Sequence, residues 1–379
     1  MIYFDNAATG GKKPDQVLTA VLASLRVCAN PGRSGHKLSL SCAKLVQDCR
    51  NALNGFFDGY GLERVIFTKN CTEALNTAIF GVLQQGDHVV TSCMEHNSVL
   101  RPLEYLKSKG VITYDVCPLQ GDPRNGEAKL SLSAFRALLR PNTRMVILTT
   151  ASNVNGYIPP FEKVREILPK DVLLLCDGAQ GCGHLPISMQ KSGIDLLAVA
   201  GHKGMFGIQG SGALLFSERV EPQPLTYGGT GSMSLSLEMP DFYPDRLEAG
   251  TISFPAVVSL LEGTRYLTVH AKQLQSRLKM LTSYFLSGLK KLDGYISYSA
   301  PNPCGIAAFK HKLLQSESVA ELLSKKYDVA VRGGLHCAPL MHEALGTADG
   351  GLLRASFSHF NSEREVETLL SALRAIHEN

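Results

Sequence analysis

Short, continuous apolar runs alternate along this chain with longer stretches in which apolar residues recur every three or four positions. The short runs predict buried strands at residues 65–68, 88–91, 145–149, 172–176 and 196–200. The periodic stretches predict helices at residues 14–27, 39–57 and 256–292, and one more that begins near Thr72. Strands that alternate with helices in this way are typical of βα units around a mainly parallel sheet, so the pattern predicts an α/β fold.

The pattern also predicts two domains. Loops rich in glycine and proline fill residues 227–251, the long helical pattern follows them, and the rest of the chain alternates strand and helix again. At 379 residues the chain is too long for one small core. We expect a large domain over residues 16–262 and a smaller α/β domain that combines residues 1–15 with residues 263–379, so that the boundary lies inside the long helix.

Composition and charge exclude several classes of partner. Hydrophobic residues make up 44% of the chain and charged residues 19%, as in globular proteins. The 38 basic residues only slightly outnumber the 34 acidic residues and are interspersed with them, so we expect neither nucleic acid nor an anionic membrane as a partner. No apolar run approaches the roughly 18 residues of a membrane span. Residues 1–6 lack the basic and apolar regions of a signal peptide, so we expect a cytoplasmic protein.

The ten cysteines are scattered and form no CxxC pair. A disulfide scaffold would be unusual in a chain of this length, so we expect free thiols in a reducing compartment, most of them buried as small hydrophobic residues. The histidines His184, His311 and His342 show no metal-ligand spacing, so no metal site is expected.

Polar side chains follow directly where two of the predicted strands end. Residues 172–176 lead to Asp177, and residues 196–200 lead to His202 and Lys203. In an open α/β sheet, ligands bind beyond the carboxyl ends of the strands, so we expect one carboxylate and one amine in the same crevice. An enzyme that uses pyridoxal 5′-phosphate (PLP) needs this pair, because a lysine holds the aldehyde as a Schiff base and an acid keeps the pyridine nitrogen protonated.

The ordered set of motifs resembles the fold-type I PLP enzymes of the class V aminotransferase group. Within that group it is similar to the cysteine desulfurases and selenocysteine lyases of the second, SufS-like type. The resemblance runs from YFDNAA at residues 3–8 to LRAS at residues 353–356. It implies a large domain with a mainly parallel central sheet, a smaller C-terminal α/β domain, and PLP as the cofactor.

The resemblance implies a role around PLP for a set of residues along the chain. They are Thr72, His96, Asn153, Asp177, Gln180, His202, Lys203 and Thr251. Lys203 would form the Schiff base, with Asp177 on the pyridine nitrogen. His96 would stack on the ring and relay protons, and a structural hydrogen bond at a helix start is the alternative for this residue. Asn153 and Gln180 would lie near the phenolic oxygen.

The same resemblance puts the phosphate of PLP at the helix that begins near Thr72, a residue expected both to cap that helix and to bind the phosphate. His202 would add a contact. Thr251 would reach the phosphate from the neighbouring subunit, which implies a homodimer with composite sites. The family often carries a serine shortly before its His-Lys pair, whereas this chain has Ala200 and Gly201 there, so one hydroxyl contact is missing from the pattern.

Four more residues correspond in the family to the substrate side of the site. Cys337 would attack the sulfur of the substrate and leave as a persulfide. Arg354 would bind the substrate carboxylate through its guanidinium fork. His36 and Asn6 belong to segments that resemble substrate-site segments. A structural cysteine, a surface arginine and an ordinary loop around His36 are the alternatives.

The surroundings of Cys337 predict an exposed loop, because it lies in the glycine-containing stretch RGGLHCAP at residues 332–339. Arg332 and His336 are expected to favour the thiolate through their positive charge. The family commonly has His-His-Cys-Ala at this place. This chain has Leu335 in the first of those positions, so its local acid–base behaviour is expected to differ.

Taken together, the resemblance implies conversion of L-cysteine to L-alanine with transfer of sulfur as a persulfide on Cys337. An acceptor protein for the sulfur, and a place in iron–sulfur cluster assembly, are implied with it. Selenocysteine lyase activity is the nearest alternative, because a selenol leaves more easily and need not involve Cys337. Another class V reaction on a small amino acid, such as transamination, and a non-catalytic sulfur-carrier partner or scaffold are the other readings.

Overall fold

The computed structural model describes residues 1–27 and 29–378. Its helices are α1 (Asp15–Ser24), α2 (Lys37–Phe56), α3 (Cys71–Val82), α4 (Asn97–Ser108), α5 (Leu132–Ala137), α6 (Phe161–Ile167), α7 (Met189–Ser192), α8 (Phe254–Leu289), α9 (Ser316–Tyr327), α10 (Pro339–Leu345) and α11 (Glu363–Glu378). Its strands are β1 (Ile2–Tyr3), β2 (Val65–Thr68), β3 (Asp87–Ser92), β4 (Ile112–Cys117), β5 (Leu119–Gln120), β6 (Lys129–Leu130), β7 (Thr143–Thr149), β8 (Leu173–Asp177), β9 (Leu196–Ala200), β10 (Gly212–Phe216), β11 (Tyr295–Ser297), β12 (Ile306–His311), β13 (Val329–Ala330) and β14 (Leu353–Ser356). The predicted α/β class is confirmed.

The centre of the molecule is a seven-stranded sheet in the order β2-β10-β9-β8-β7-β3-β4. Strand β10 runs antiparallel to both of its neighbours, and the other pairs are parallel. Six strands therefore point the same way, and their carboxyl ends lie at one edge of the sheet. This mixed but mainly parallel sheet confirms the predicted architecture, and that edge is where a ligand site is expected.

The middle strands form because their sequences are apolar without interruption. Every residue of β8 and of β9 is buried, as expected of strands covered on both faces. The two strands pair in parallel, with Leu175 opposite Leu196 and Asp177 opposite Ala198. Asp177 is thus the last residue of its strand, and its carboxyl group emerges at the edge of the sheet.

A second, smaller layer surrounds the three-stranded antiparallel sheet β11-β12-β14. Its apolar core joins Phe4 from the start of the chain to Phe285, Phe309 and Leu353. Helix α8 spans both cores, because its first half packs in the main core and its second half packs here. The contacts of α8 with the main core continue to Leu274 and those with the second core begin at Leu278, and the division at residue 262 stays a prediction.

The cysteines of the described residues are free thiols. Eight of them are buried, and Cys337 is exposed. Cys28 lies outside the described residues. Among the residues that are described, no helix is long and apolar enough to cross a membrane, and no group of three or more His, Cys, Asp or Glu side chains is arranged to hold a metal ion.

Candidate active site

The carboxyl edge of the central sheet collects most of the side chains singled out from the sequence. Asp177 ends β8, and Lys203 lies three residues beyond the end of β9. His96 and Asn153 each follow four residues after the ends of β3 and β7, and Thr72 follows four residues after β2. Because these five strands run in the same direction, the fold brings all five segments to one place.

Lys203 and Asp177 interact electrostatically across this edge. Burial lowers the pKa of Lys203, and the charge of Asp177 offsets part of that effect. The amine makes no hydrogen bond or ion pair with any described residue. Asp177 is 2% exposed, and its Oδ1 accepts hydrogen bonds from the backbone N–H of Ala179 at 2.9 Å and from Cys71 Sγ at 3.4 Å. The arrangement presents an unpaired amine, a form suited to reaction with an aldehyde, beside an oriented carboxylate.

His96 is the N-cap of α4. Its Nδ1 accepts hydrogen bonds from the backbone N–H of Ser98 at 3.0 Å, and the Ser98 hydroxyl is 2.9 Å away. Burial lowers the pKa of the imidazole, the nearby Lys203 and Arg332 lower it further, and Asp177 acts in the opposite direction. The structural hydrogen bond weighed from the sequence therefore exists. It also leaves the ring faces and Nε2 without a hydrogen bond to a described residue, so it is compatible with stacking.

The start of α3 departs from the sequence prediction. The N-cap is Asn70, whose side-chain oxygen accepts from the backbone N–H of Glu73 at 2.9 Å, so the predicted capping role of Thr72 is wrong. Thr72 lies inside the first turn, and its hydroxyl is 2.8 Å from the hydroxyl of Ser98. The backbone N–H groups of Cys71 and Thr72 point out of the helix start without a partner among the described residues. Such a helix start, flanked by two hydroxyls, is suited to an anion.

The N-terminal arm covers the other side of Lys203. Asn6, Gln180 and Lys203 line a cavity of about 30 Å³. The amide of Gln180 donates to the backbone oxygen of Ala7 at 3.0 Å, and the amide of Asn6 donates to the backbone oxygen of Ser356 at 2.9 Å. His202, one residue before the lysine, has its Nδ1 3.0 Å from the hydroxyl of Thr9. These contacts fasten the arm to the segment after β8, to β14 and to the turn that carries Lys203.

The Cys337 loop is fastened to the same edge. The backbone oxygen of Cys337 accepts from the N–H of Asn97 at 2.8 Å, directly after His96. The backbone oxygen of His336 accepts from the side-chain amide of Asn153 at 2.7 Å. His336 and Cys337 have φ angles of 50° and 57°, a left-handed conformation that costs on the order of 1–3 kcal/mol per residue. The surrounding contacts thus hold an exposed thiol in a strained turn beside His96.

His336 does not supply the positive charge expected from the sequence. The ring is 3% exposed, and its pKa is lowered to about 2 by burial and by the neighbouring Arg354, His342 and Arg332. Its Nε2–H donates to the backbone oxygen of Leu352 at 3.0 Å. A neutral, buried imidazole cannot stabilise a thiolate by charge, so that expectation is corrected, and Arg332 is the cation that remains near Cys337.

Arg354 is buried rather than on the surface. Its side chain is 1% exposed, and its two terminal nitrogens donate to Asn153 O and to Asp5 Oδ1, each at 2.9 Å. Its Nε is buried without a hydrogen bond within the described residues. The half-buried Arg332 lies beside it, and the two residues exchange backbone N–H to oxygen hydrogen bonds. The side chain of Arg332 makes no hydrogen bond or ion pair with a described residue. Arg332 is therefore a second candidate to receive a carboxylate.

Thr251 and His36 lie apart from this cluster. Thr251 is exposed and lines a cavity of about 400 Å³. His36 is exposed and caps α2, accepting from the backbone N–H of Ser39 at 3.2 Å. Arg33, near His36, donates to the backbone oxygen of Gly250 at 2.8 Å, so the two segments meet on one surface. No contact within the described residues links either one to Lys203.

Three residues of this edge were missed by the sequence reasoning. They are Cys71, Glu95 and Ser98. Each stands within one or two residues of a predicted site residue, and that adjacency was the one available signal. Their side-chain contacts cross from one strand to the next, so they follow from the packing of the sheet and not from a local motif.

Comparison with known proteins agrees with this geometry. The family model for class V aminotransferases matches residues 2–369. The chain belongs to the class V aminotransferase family. The probable cysteine desulfurase of Methanothermobacter thermautotrophicus is 30% identical over 387 residues, which span 99% of this chain and 94% of that protein.

Solved structures of cysteine desulfurases resemble this family member over its whole length. The enzyme from Thermococcus onnurineus gives a TM-score of 0.89 at 30% identity and covers 100% of this chain and 94% of its own. The enzyme CsdA from Escherichia coli gives a TM-score of 0.87 at 26% identity, and the superposition covers 99% of this chain and 94% of the CsdA chain. The resemblance to the class V group noted from the sequence motifs is confirmed.

Proposed function

We propose that this class V family member is a PLP-dependent cysteine desulfurase that converts L-cysteine to L-alanine and keeps the sulfur as a persulfide on Cys337. The observation that carries the proposal is the attachment of the exposed Cys337 turn, through Asn97 and Asn153, to the sheet edge that holds Lys203 and Asp177. The cysteine desulfurases that resemble the chain along nearly its full length support the same activity.

The residues at the edge of the sheet fit PLP. The amine of Lys203 and the first N–H groups of α3 have no partner among the described residues, and the carboxylate of Asp177 is oriented by Ala179. We assign these cofactor contacts to Lys203, Asp177, His96, Asn153, Gln180, Thr72 and His202, with Thr251 from a partner subunit. Ser98, whose hydroxyl lies beside that of Thr72, is the donor we assign in place of the serine missing before His202. When bound, PLP supplies an electron sink for negative charge at the α-carbon of the substrate.

The chain's own residues then divide the work. Burial lowers the pKa of Lys203, and a lysine with a lowered pKa can serve as a base. Lys203 therefore takes the proton from the α-carbon of the substrate. Arg332 and Arg354 hold the substrate carboxylate, which fixes the direction of the side-chain sulfur. The Cys337 thiolate attacks that sulfur, so that a sulfur–sulfur bond forms as the carbon–sulfur bond breaks. The electron pair of the broken bond stays on the β-carbon, which takes a proton and becomes a methyl group. Lys203 then returns its proton to the α-carbon, which completes L-alanine.

A homodimer in the cytoplasm, with an acceptor protein for the persulfide sulfur, completes the proposal. Thr251 and His36 lie apart from the cluster of their own chain, yet their segments meet on one surface. Exposed apolar side chains occupy the same stretch, with Leu235 and Leu237 fully exposed. Such a surface is typical of an interface, and a second copy would bring Thr251 to a phosphate site that one chain leaves open.

Turnover of two substrates by two variants tests the proposal. The wild type, Cys337→Ala and Lys203→Ala are given L-cysteine or L-selenocysteine, and alanine is quantified. We expect Lys203→Ala to form no alanine from either substrate, and Cys337→Ala to lose the activity on cysteine. Lys191→Ala, at an exposed helical position, is the matched control for the lysine.

Three results would redirect the assignment. Alanine from neither substrate with the wild type would refute the activity. Activity of Cys337→Ala on selenocysteine alone would fit the second, SufS-like type and would add selenocysteine lyase chemistry at the same site, because a selenol is the better leaving group and need not involve Cys337. Production of a keto acid in place of alanine would indicate transamination.

A further inference from the structure

Glu95 is a buried carboxyl group at the edge of the sheet that the mechanism above does not use. It follows β3 and directly precedes His96, and its side chain is 0% exposed. A fully buried acidic residue is rare unless it is paired. Its surroundings therefore bear on what it does for the neighbouring site.

One oxygen of Glu95 joins the ends of two neighbouring strands. Oε1 accepts hydrogen bonds from the hydroxyl of Ser92, the last residue of β3, at 2.7 Å and from the backbone N–H of Thr149, the last residue of β7, at 3.1 Å. The next residue continues the connection, because both the N–H and the hydroxyl of Thr150 donate to the backbone oxygen of Asp177, at 2.9 and 3.0 Å. A single carboxyl group is thus linked to the segments that carry His96 and Asp177.

The other oxygen of Glu95 has no hydrogen-bond partner among the described residues, although it is buried. No Lys, Arg or His among the described residues forms an ion pair with Glu95. The titratable side chains that interact with it are Asp177 and Cys176 from β8 and Cys93 on its own segment. A buried carboxylate that lacks both a cation and a donor for one oxygen is costly, whereas the protonated acid avoids the unpaired charge.

The acid–base behaviour agrees with this geometry. Burial raises the pKa of Glu95 to about 8, Asp177 raises it as well, and the hydrogen bonds from Ser92 and Thr149 act in the opposite direction. Since Oε1 already accepts two hydrogen bonds, the proton belongs on Oε2. At neutral pH the group is then a carboxylic acid whose one oxygen acts as a fixed acceptor.

We propose that Glu95 is a positioning residue that works as a neutral acid, fastening the segments of His96 and Asp177 together while leaving Asp177 as the negative charge opposite Lys203. The proposal rests on the cofactor role assigned above to those three residues. Ionisation of Glu95 would add a second negative charge beside Asp177. The binding site would then hold the cationic form of PLP more tightly, and its visible absorption would change.

The first test needs no cofactor chemistry. A carboxyl group that is protonated in the folded protein and ionised in the unfolded chain makes stability fall as pH rises from the unfolded value near 4.5 to about 8. Glu95→Gln keeps the acceptor oxygen and cannot ionise. We expect the melting temperature of Glu95→Gln relative to the wild type to rise between pH 5 and pH 8 and to level off above that.

The second test reads the site itself. The absorption spectrum of the PLP-loaded wild type is followed from pH 6 to pH 10, and we expect a spectral change centred near pH 8 that Glu95→Gln lacks. Glu95→Ala removes the fastening oxygen as well as the acid, so it should lose PLP more readily than Glu95→Gln. Glu162→Gln, a substitution in α6 away from this edge, is the matched control for a change of one acidic residue.

The outcomes separate this proposal from the proposed function. A melting-temperature difference between Glu95→Gln and the wild type that does not vary with pH would overturn the neutral-acid assignment, whatever the cofactor does. Loss of PLP from Glu95→Gln to the same extent as from Glu95→Ala would show that the charge is required, and would overturn it too. A wild type that binds no PLP while the pH-dependent stability difference persists would refute the proposed function and leave the neutral acid standing.

Discussion

The ion pair between Arg50 and Glu248 gives the sharpest prediction about stability. Arg50 Nη2 lies 2.6 Å from Glu248 Oε2, and the two side chains are only 6% and 9% exposed. Glu248 Oε1 also accepts from the backbone N–H of Phe67 at 2.6 Å, and the guanidinium stacks on the Phe67 ring at 4.5 Å. The pair joins α2 to the loop that leads to Thr251, so breaking it loosens the segment proposed to reach a partner's cofactor.

The magnitude follows from what each substitution leaves behind. Glu248→Gln leaves a buried guanidinium without a counter-charge, a change that costs about 3–5 kcal/mol. This is a large part of the total stability of a folded domain, which is about 5–15 kcal/mol. Replacing both partners, as in Arg50→Met with Glu248→Gln, removes the unpaired charge along with the pair. We therefore expect the double variant to be more stable than the sum of its single changes implies.

Denaturant unfolding of the wild type, the two single variants and the double variant measures the coupling directly. Glu363→Gln, which breaks the exposed pair that Glu363 forms with Arg277 at 3.0 Å, is the matched control and should cause no measurable loss. Strict additivity of the two buried changes, or a loss for Glu248→Gln as small as that of the control, would refute the reasoning. Either result would mean that solvent reaches the pair.

Two further substitutions test the site and its support. Asp5→Asn keeps an oxygen for Arg354 and removes the counter-charge of a guanidinium that is 1% exposed, so we expect a higher KM for L-cysteine. Because Asp5 is 24% exposed and solvent screens part of its charge, the expected loss in the free energy of unfolding is about 1–3 kcal/mol, smaller than for Glu248→Gln. An unchanged KM would show that this pair does not contribute to substrate binding. Gly201→Ala places a Cβ 2.1 Å from the hydroxyl oxygen of Ser211, so we expect overpacking beneath the Lys203 turn to lower the free energy of unfolding by about 1–3 kcal/mol. Gly55→Ala, at a position in α2 with open space around it, is the control and should be neutral or stabilising in the same unfolding assay. Equal stabilities of the two alanine variants would contradict the close approach at Gly201.

Much of the fold follows from local pattern. Strands β8 and β9 are continuous apolar runs because both faces are buried, and that signal survives in the sequence without knowledge of the partner strands. Helix α8 was predicted over residues 256–292 and extends from Phe254 to Leu289, because its apolar period continues through both cores. The order of the sheet strands, with β10 antiparallel between β2 and β9, has no such local signature.

The local sequence is ambiguous where neighbouring side chains are suited to the same role and where a charge depends on distant contacts. Asn70 and Thr72 are both suited to capping, and the sequence cannot tell which of them takes the extended backbone before the helix. The charge of His336 has no local signal either, because it depends on burial against Arg354 and His342, which lie on elements that come later in the chain.

By itself, the sequence determined the α/β class, the strand ends that deliver Asp177 and Lys203, and the motifs that mark the class V family, since each of these is written in consecutive residues. The tertiary structure alone decided which groups meet between strands. It pairs Arg354 with Asp5, ties Cys337 to the residue after His96, and buries Glu95 with one oxygen that has no partner in residues 1–27 and 29–378. Charge and hydrogen bonding depend on distance and on exclusion of water, and both are set only once the chain has folded.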